Sequence, residues 1–142
     1  MWYQRLIGLV VALVIAGCLY GGWRSFEPTV GQAATASEAP ISSLPASAKN
    51  VRYYLPGAFG PVTYYEFEVS EEDFEAWVAA MPPPQLARVD WRTIQCLDDE
   101  GRPSEERELE DGIVYHWRED DASIRAAYDR VAGRAYFQSN SR

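Results

Sequence analysis

The chain has 142 residues, with 13 Lys and Arg against 21 Asp and Glu, and a formal net charge of −8. An acidic balance with no basic stripe repels phosphate backbones, which excludes nucleic acid as a partner class. One histidine and two cysteines exclude a histidine-rich metal centre and a four-cysteine zinc site, and no cofactor motif is present.

The first element is "RLIGLVVALVIAGCLYGGW", Arg5 to Trp23. Leu6 to Gly22 form a run of 17 residues without a charged or strongly polar side chain. As a helix at ~1.5 Å per residue, that run reaches about 25 Å, a little short of the ~30 Å hydrocarbon core. It is apolar on every side, which disfavours an amphipathic core helix. Arg5 ahead of the 12 apolar residues Leu6–Gly17 has the layout of a secretory signal.

Ile15-Ala16-Gly17-Cys18 then resembles the lipobox of bacterial lipoprotein signal peptides, an aliphatic residue and two small ones before a cysteine. The resemblance implies removal of residues 1–17 and acylation of Cys18, leaving a lipid anchor. The alternative is a retained membrane helix over residues 6–23, with Trp2, Tyr3, Tyr20 and Trp23 as interfacial aromatics. Both readings put the rest of the chain outside the cytoplasm, attached to the membrane in the cell envelope.

From Pro28 to Lys49, 16 of 22 residues are Ala, Ser, Thr, Pro or Gly. So little large apolar surface predicts a disordered tether over residues 18–49, the Pro28–Lys49 stretch spanning about 25 Å as a random coil. A domain follows over residues 50–142, with 10 Arg, no Lys and 19 Asp and Glu, a net charge of 10 − 19 = −9. Its length suffices for one modest hydrophobic core.

"VRYYL" and "VTYYEFEV" read as strands joined by the turn "PGAFGP". "SEEDFEAWVAAMPPP" reads as a helix: Ser70 caps it, Asp73 takes the capping-box position, and Pro82 to Pro84 stop it. Phe74, Trp77, Val78 and Met81 fall at i, i+3, i+4 and i+7, one apolar stripe that faces the core. "VDWRTIQCL" reads as a third strand, "DDEGRPSEERELEDG" as an acidic loop, and "IVYHWR", "SIRAAYD" and "RAYFQS" as three strands joined by tight connections. The order is ββαββββ: an α+β domain with a largely antiparallel sheet and one amphipathic helix on one face.

Period-two alternation assigns the faces. Tyr65, Phe67, Val69, Ile113, Tyr115, Trp117, Ile124, Ala126, Tyr128, Ala135 and Phe137 point under the helix. The other face carries Tyr64, Glu66, Glu68, His116, Arg118, Arg125, Arg134 and Tyr136, together with Val114 and Ala127. That face reads as the wet side of the sheet, laced with Glu–Arg pairs, and as the candidate surface for a polar ligand or a protein partner. Asp98, Asp99 and Glu100 before Gly101 lack the ligand spacing of an EF-hand. Cys96 with His116 is the one thiol–imidazole combination, but no nucleophile motif surrounds it, and Cys96 between Ile94 and Leu97 reads as a small buried hydrophobe.

"LPASAKNVRYY" and "YDRVAGRAYF" resemble segments of small exported bacterial envelope proteins, and the likeness transfers no functional residue. The sequence thus leads to a membrane-held exported domain that binds a protein partner or supports an envelope assembly without catalysis. A small polar-ligand binder using the Tyr/Arg/His face is the alternative, and an enzyme using Cys96 or His116 the third reading.

Overall fold

The computed structural model describes residues 2–24, 26–58, 60–82 and 84–140, with backbone alone for residues 2–6. The side chains of Trp2, Tyr3 and Arg5 therefore lie outside the described residues. Helix α1, Trp2–Arg24, carries the apolar run, and its segment Ile7–Arg24 is long and apolar enough to cross a membrane, with none of it buried in the protein. Its apolar residues are spread around the whole helix, so no face of it is distinguished as one that would pack on the domain.

The domain is a small α+β fold. Its strands are β1 (Thr29–Thr35), β2 (Lys49–Leu55), β3 (Val62–Glu68), β4 (Ala87–Val89), β5 (Thr93–Leu97), β6 (Pro103–Glu108), β7 (Gly112–Glu119), β8 (Ala122–Asp129) and β9 (Arg134–Asn140), with helix α2 (Glu71–Ala79) between β3 and β4. Seven of them form one sheet in the order β1-β2-β3-β9-β8-β7-β4, and β5 with β6 forms a second; every pairing is antiparallel.

Helix α2 forms where the capping residues and apolar stripe predict. The Ser70 hydroxyl accepts the Asp73 backbone N–H at 3.1 Å, and Glu71 to Asp73 supply negative charge to the first turn. The other arm of the expected capping box goes elsewhere, because Ser47 donates to the Asp73 carboxylate at 2.7 Å. Phe74, Trp77 and Val78 bury against Phe67, Tyr128, Ile113 and Ala135. Their rings form a continuous stack: Phe74 on Tyr128 at 5.3 Å, Trp77 edge-on to Phe67 at 5.3 Å, and Tyr65 over Phe137 at 4.5 Å.

Three expectations are corrected. The segment read as a tether folds onto the domain. β1 pairs with β2 from Thr29↔Leu55 to Thr35↔Lys49, a 3₁₀ turn covers Ala36–Glu38, and Ile41, Leu44 and Ala48 pack against the core. Trp77 Nε1 donates to the Ser43 carbonyl at 2.6 Å and fixes this segment to α2. Small residues suit the place: a Cβ on Gly31 would overlap the Tyr53 phenol that lies across it, and Val30 sits against Gly101, whose φ of +76° suits glycine. The backbone ladder and a few anchoring side chains offset the ordering entropy that composition alone leaves uncovered.

The second correction divides "VDWRTIQCL" into β4 and β5, which belong to different sheets. The third replaces much of the acidic loop with β6, paired to β5 from Thr93↔Glu108 to Leu97↔Pro103. The β5–β6 pair packs across the sheet face opposite α2, where Ile94, Leu109, Val114, Ala127 and Tyr136 make a second core cluster. The main sheet is thus covered on both sides.

Candidate functional site

Covering that face divides the predicted site in two. Tyr64, Glu66, Arg134 and Tyr136 lie in the layer between the sheets, whereas His116, Arg118 and Arg125 reach an open cleft.

In the covered part, Glu66 is 4 % exposed and holds the layers together. Its carboxylate accepts Arg52 Nη1 at 2.8 Å and the Leu97 backbone N–H at 3.2 Å, with Arg134 Nε at 3.5 Å. Arg52 also donates to the carbonyls of Leu97 and Asp98, and Arg134 pairs with Glu68 at 3.3 Å. The Tyr64 hydroxyl donates to Gln95 Oε1 at 2.9 Å. Glu66 and Arg134 are therefore an internal bolt and not a wet cross-strand pair. A buried carboxylate held in this way by two arginines and a backbone N–H binds the two sheets and lies away from the open surface.

A second network joins β6 to β8 and β9. Arg107 donates to Cys96 Sγ at 3.0 Å, to the Tyr136 hydroxyl at 3.0 Å and to the buried Asp129 carboxylate at 3.3 Å. Burial pushes the Tyr136 phenol up to about 12. Burial also raises the Cys96 thiol, more strongly than Arg107 lowers it, which favours the unreactive protonated form. Cys96 is half-buried, more accessible than a buried hydrophobe. Among the described residues no hydrogen bond joins it to His116, and no group of three or more metal-ligating side chains occurs.

The open part is a polar cleft of about 480 Å³ at the β7–β8 turn, lined by Trp91, His116, Arg118, Ser123, Arg125 and Asn140, with Asp120 and Asp121 at its rim. Arg125 stacks over the Trp91 ring at 4.6 Å and pairs with Glu106 at 2.8 Å, while Trp91 meets His116 edge-on at 5.3 Å. Desolvation first, then the charges of Arg125 and Arg118, lower the His116 pKa and favour neutral imidazole. Asn140 Oδ1 is buried without a hydrogen-bond partner among the described residues. Arg118 pairs with Ser123 through the β7–β8 ladder, but its side chain makes no hydrogen bond or ion pair among the described residues.

A further cleft, of about 360 Å³, opens beside the C-terminal end of α2 between Tyr65, Trp77, Met81, Pro82, Ile124 and Phe137. Its lining is mainly apolar, with the Tyr65 hydroxyl, 3.5 Å from Ser43, as a polar group on the wall. Sequence reasoning places Trp77, Tyr65 and Phe137 in the core but misses the opening. The available signal is "AMPPP": Met81 continues the helical stripe after the helix itself has stopped at Ala79.

Cys18 lies exposed on α1. No family model matches the chain, and neither a curated protein nor a solved structure matches it significantly.

Proposed function

We propose that this chain is an exported, membrane-held domain that binds a protein partner without catalysis, and that an apolar side chain of the partner enters the cleft beside α2. The cleft of Tyr65, Trp77, Met81, Pro82, Ile124 and Phe137 carries the reading. It has the apolar, aromatic lining and the sparse polar groups of a binding pocket, and its volume falls within the ~300–1,000 Å³ usual for such sites. The half-buried Cys96 and the buried Tyr136, both hydrogen-bonded to Arg107, suit structure better than turnover.

A photocrosslinking residue at Pro82, in cells, should yield a defined adduct that is absent when the same residue stands at Val131, which is exposed on a distant turn. An identical adduct pattern from both positions, or none from either, refutes the assignment. The open polar cleft supports a second reading, a small polar ligand held by Arg118 and Asn140. Thermal-shift screening with small carboxylates and amino acids tests it, and any shift should disappear in Arg118→Gln.

The anchor is either the retained helix α1 or, after cleavage at Ile15-Ala16-Gly17-Cys18, a diacylated Cys18 in the cell envelope. Acyl chains contribute ~0.8 kcal/mol per buried methylene, enough to replace the removed peptide. Intact mass of the detergent-extracted protein decides between them. A wild-type protein that begins at Met1 and bears no lipid refutes lipidation, whereas accumulation of an uncut precursor in Cys18→Ala supports it.

A further inference from the structure

At one end of the sheet the domain carries no charge over twelve consecutive residues, Tyr54 to Tyr65, although residues 50–142 hold 19 Asp and Glu. This stretch includes the β2–β3 connection, where Ala58, Gly60 and Pro61 are exposed. Phe26, 53 % exposed, and Pro28 join it, so that Phe26, Pro28, Tyr54, Pro56, Pro61 and Val62 line one shallow cleft of about 290 Å³. The contact between the segments is close: a Cβ on Gly57 would overlap the Phe26 carbonyl.

This end of the domain is also the end tied to the apolar helix. Four residues separate Arg24, the last of α1, from Thr29, the first of β1. Five peptide steps at ~3.6 Å span at most about 18 Å, and the Phe26 N–H bonded back to the Trp23 carbonyl shortens this further. Thr29 pairs with Leu55, so the β2–β3 connection starts beside the point where the chain enters the domain. With α1 in a bilayer, Tyr20, Trp23 and Arg24 stand at the interface, whose headgroup layer is about 5–8 Å deep on each side. The β7–β8 turn, three strands further along the same end of the sheet, carries Glu119, Asp120 and Asp121, which anionic and low-dielectric surfaces repel.

We propose that the β2–β3 connection, together with Phe26 and Pro28, is a seat for the phospholipid surface, against which the domain leans on one edge. The proposal rests on α1 or its lipid holding the chain at a membrane. It goes beyond partner binding because it fixes which end of the domain faces the bilayer. The aromatic, proline and glycine surface enters the headgroup layer at low desolvation cost, with Glu27, exposed between Phe26 and Pro28, as the one carboxylate on the entering segment, and the acidic turn on the other side of the same end stays in water.

The test uses the full chain with Cys18→Ala and Cys96→Ser, carrying a single bimane-labelled cysteine at Ala58, Pro61 or Val131. Each is reconstituted in phosphatidylcholine vesicles containing a lipid with a nitroxide on its headgroup. Quenching at 58 and 61 should exceed that at 131 at least two-fold. A chain that floats with the vesicles but shows equal quenching at all three positions overturns the seat alone, and a chain that does not float overturns the anchor and the seat together. If Cys96→Ser alters the circular dichroism, a photocrosslinker at position 58 or 131 in the chain with native cysteines replaces the label. A lipid adduct by mass from 58 and not from 131 is then expected, and adducts from both or neither overturn the seat.

Discussion

Glu66→Ala should separate the two sheets. The substitution leaves Arg52 and Arg134 facing each other without their shared carboxylate, and the Leu97 N–H without an acceptor. Removing one partner of a buried ion pair costs about 3–5 kcal/mol, and an orphaned buried N–H adds on the order of 1–3 kcal/mol. The side chains of Arg52 and Arg134 are 23 % and 16 % exposed and regain some water, which places the total near the lower end, about 4 kcal/mol. That is a large share of the roughly 5–15 kcal/mol available to a domain. Glu66→Gln keeps one acceptor for Leu97 and should cost about half as much. Urea unfolding of the detergent-solubilised chain gives the magnitude, and hydrogen exchange locates it: protection should fall first in Thr93–Leu97 and Pro103–Glu108 while β8 and β9 keep theirs. If Glu66→Ala retains the wild-type midpoint and the protection of β5 and β6, the carboxylate is not what joins the layers.

Trp77→Ala should cost about 3–5 kcal/mol and Trp77→Phe roughly 1–2 kcal/mol, the latter with faster exchange at Leu44 to Ala48, because the Ser43 carbonyl loses its donor. An unchanged melting temperature in Trp77→Ala contradicts the packing of α2. Removing half of Thr29–Ser47 should lower the melting temperature substantially, since it takes away β1 or the residues that pack beside it; retention of full stability would restore the tether. For His116 the folded pKa lies below the ordinary value of about 6.5. The associated stability is therefore complete above that value and is lost as pH falls below it toward the folded pKa. Its NMR titration midpoint should lie below that of a free histidine, and His116→Gln should flatten the stability curve between pH 7 and 5; a midpoint at or above the ordinary value contradicts the desolvated environment.

Periodicity was enough to find α2, β2, β3 and the three strands β7 to β9, because each sets an apolar face against one core. It could not find β1 or β6. β1 has mostly small side chains and derives its order from the backbone ladder with β2 and from Tyr53 over Gly31. β6, "PSEERE", lacks any apolar face, since its inward arginine meets Cys96, Asp129 and Tyr136 and not hydrocarbon. The candidate face shows the same limit. Period two identifies which residues share a side of the sheet but not whether a second layer lies over it. The readable warning was Val114 and Ala127 on the side assigned to water, both of which are buried under β5 and β6. The apolar cleft is a gap between elements, and no local pattern encodes a gap.

Because the chain enters the domain through β1, a domain that is held by α1 and captures a partner, as proposed, would pass any pull between the two along that strand. The load reaches it at Thr29 and, when directed along the strand, draws β1 lengthwise against β2, so the ladder from Thr29↔Leu55 to Thr35↔Lys49 bears it in shear instead of opening one rung at a time. Val30 against Gly101 and Gly31 beneath Tyr53 act as catches against that sliding. The edge strand is thus a mechanical coupling as well as a part of the sheet, and the force that extracts it sets how hard the domain can be pulled before it comes apart.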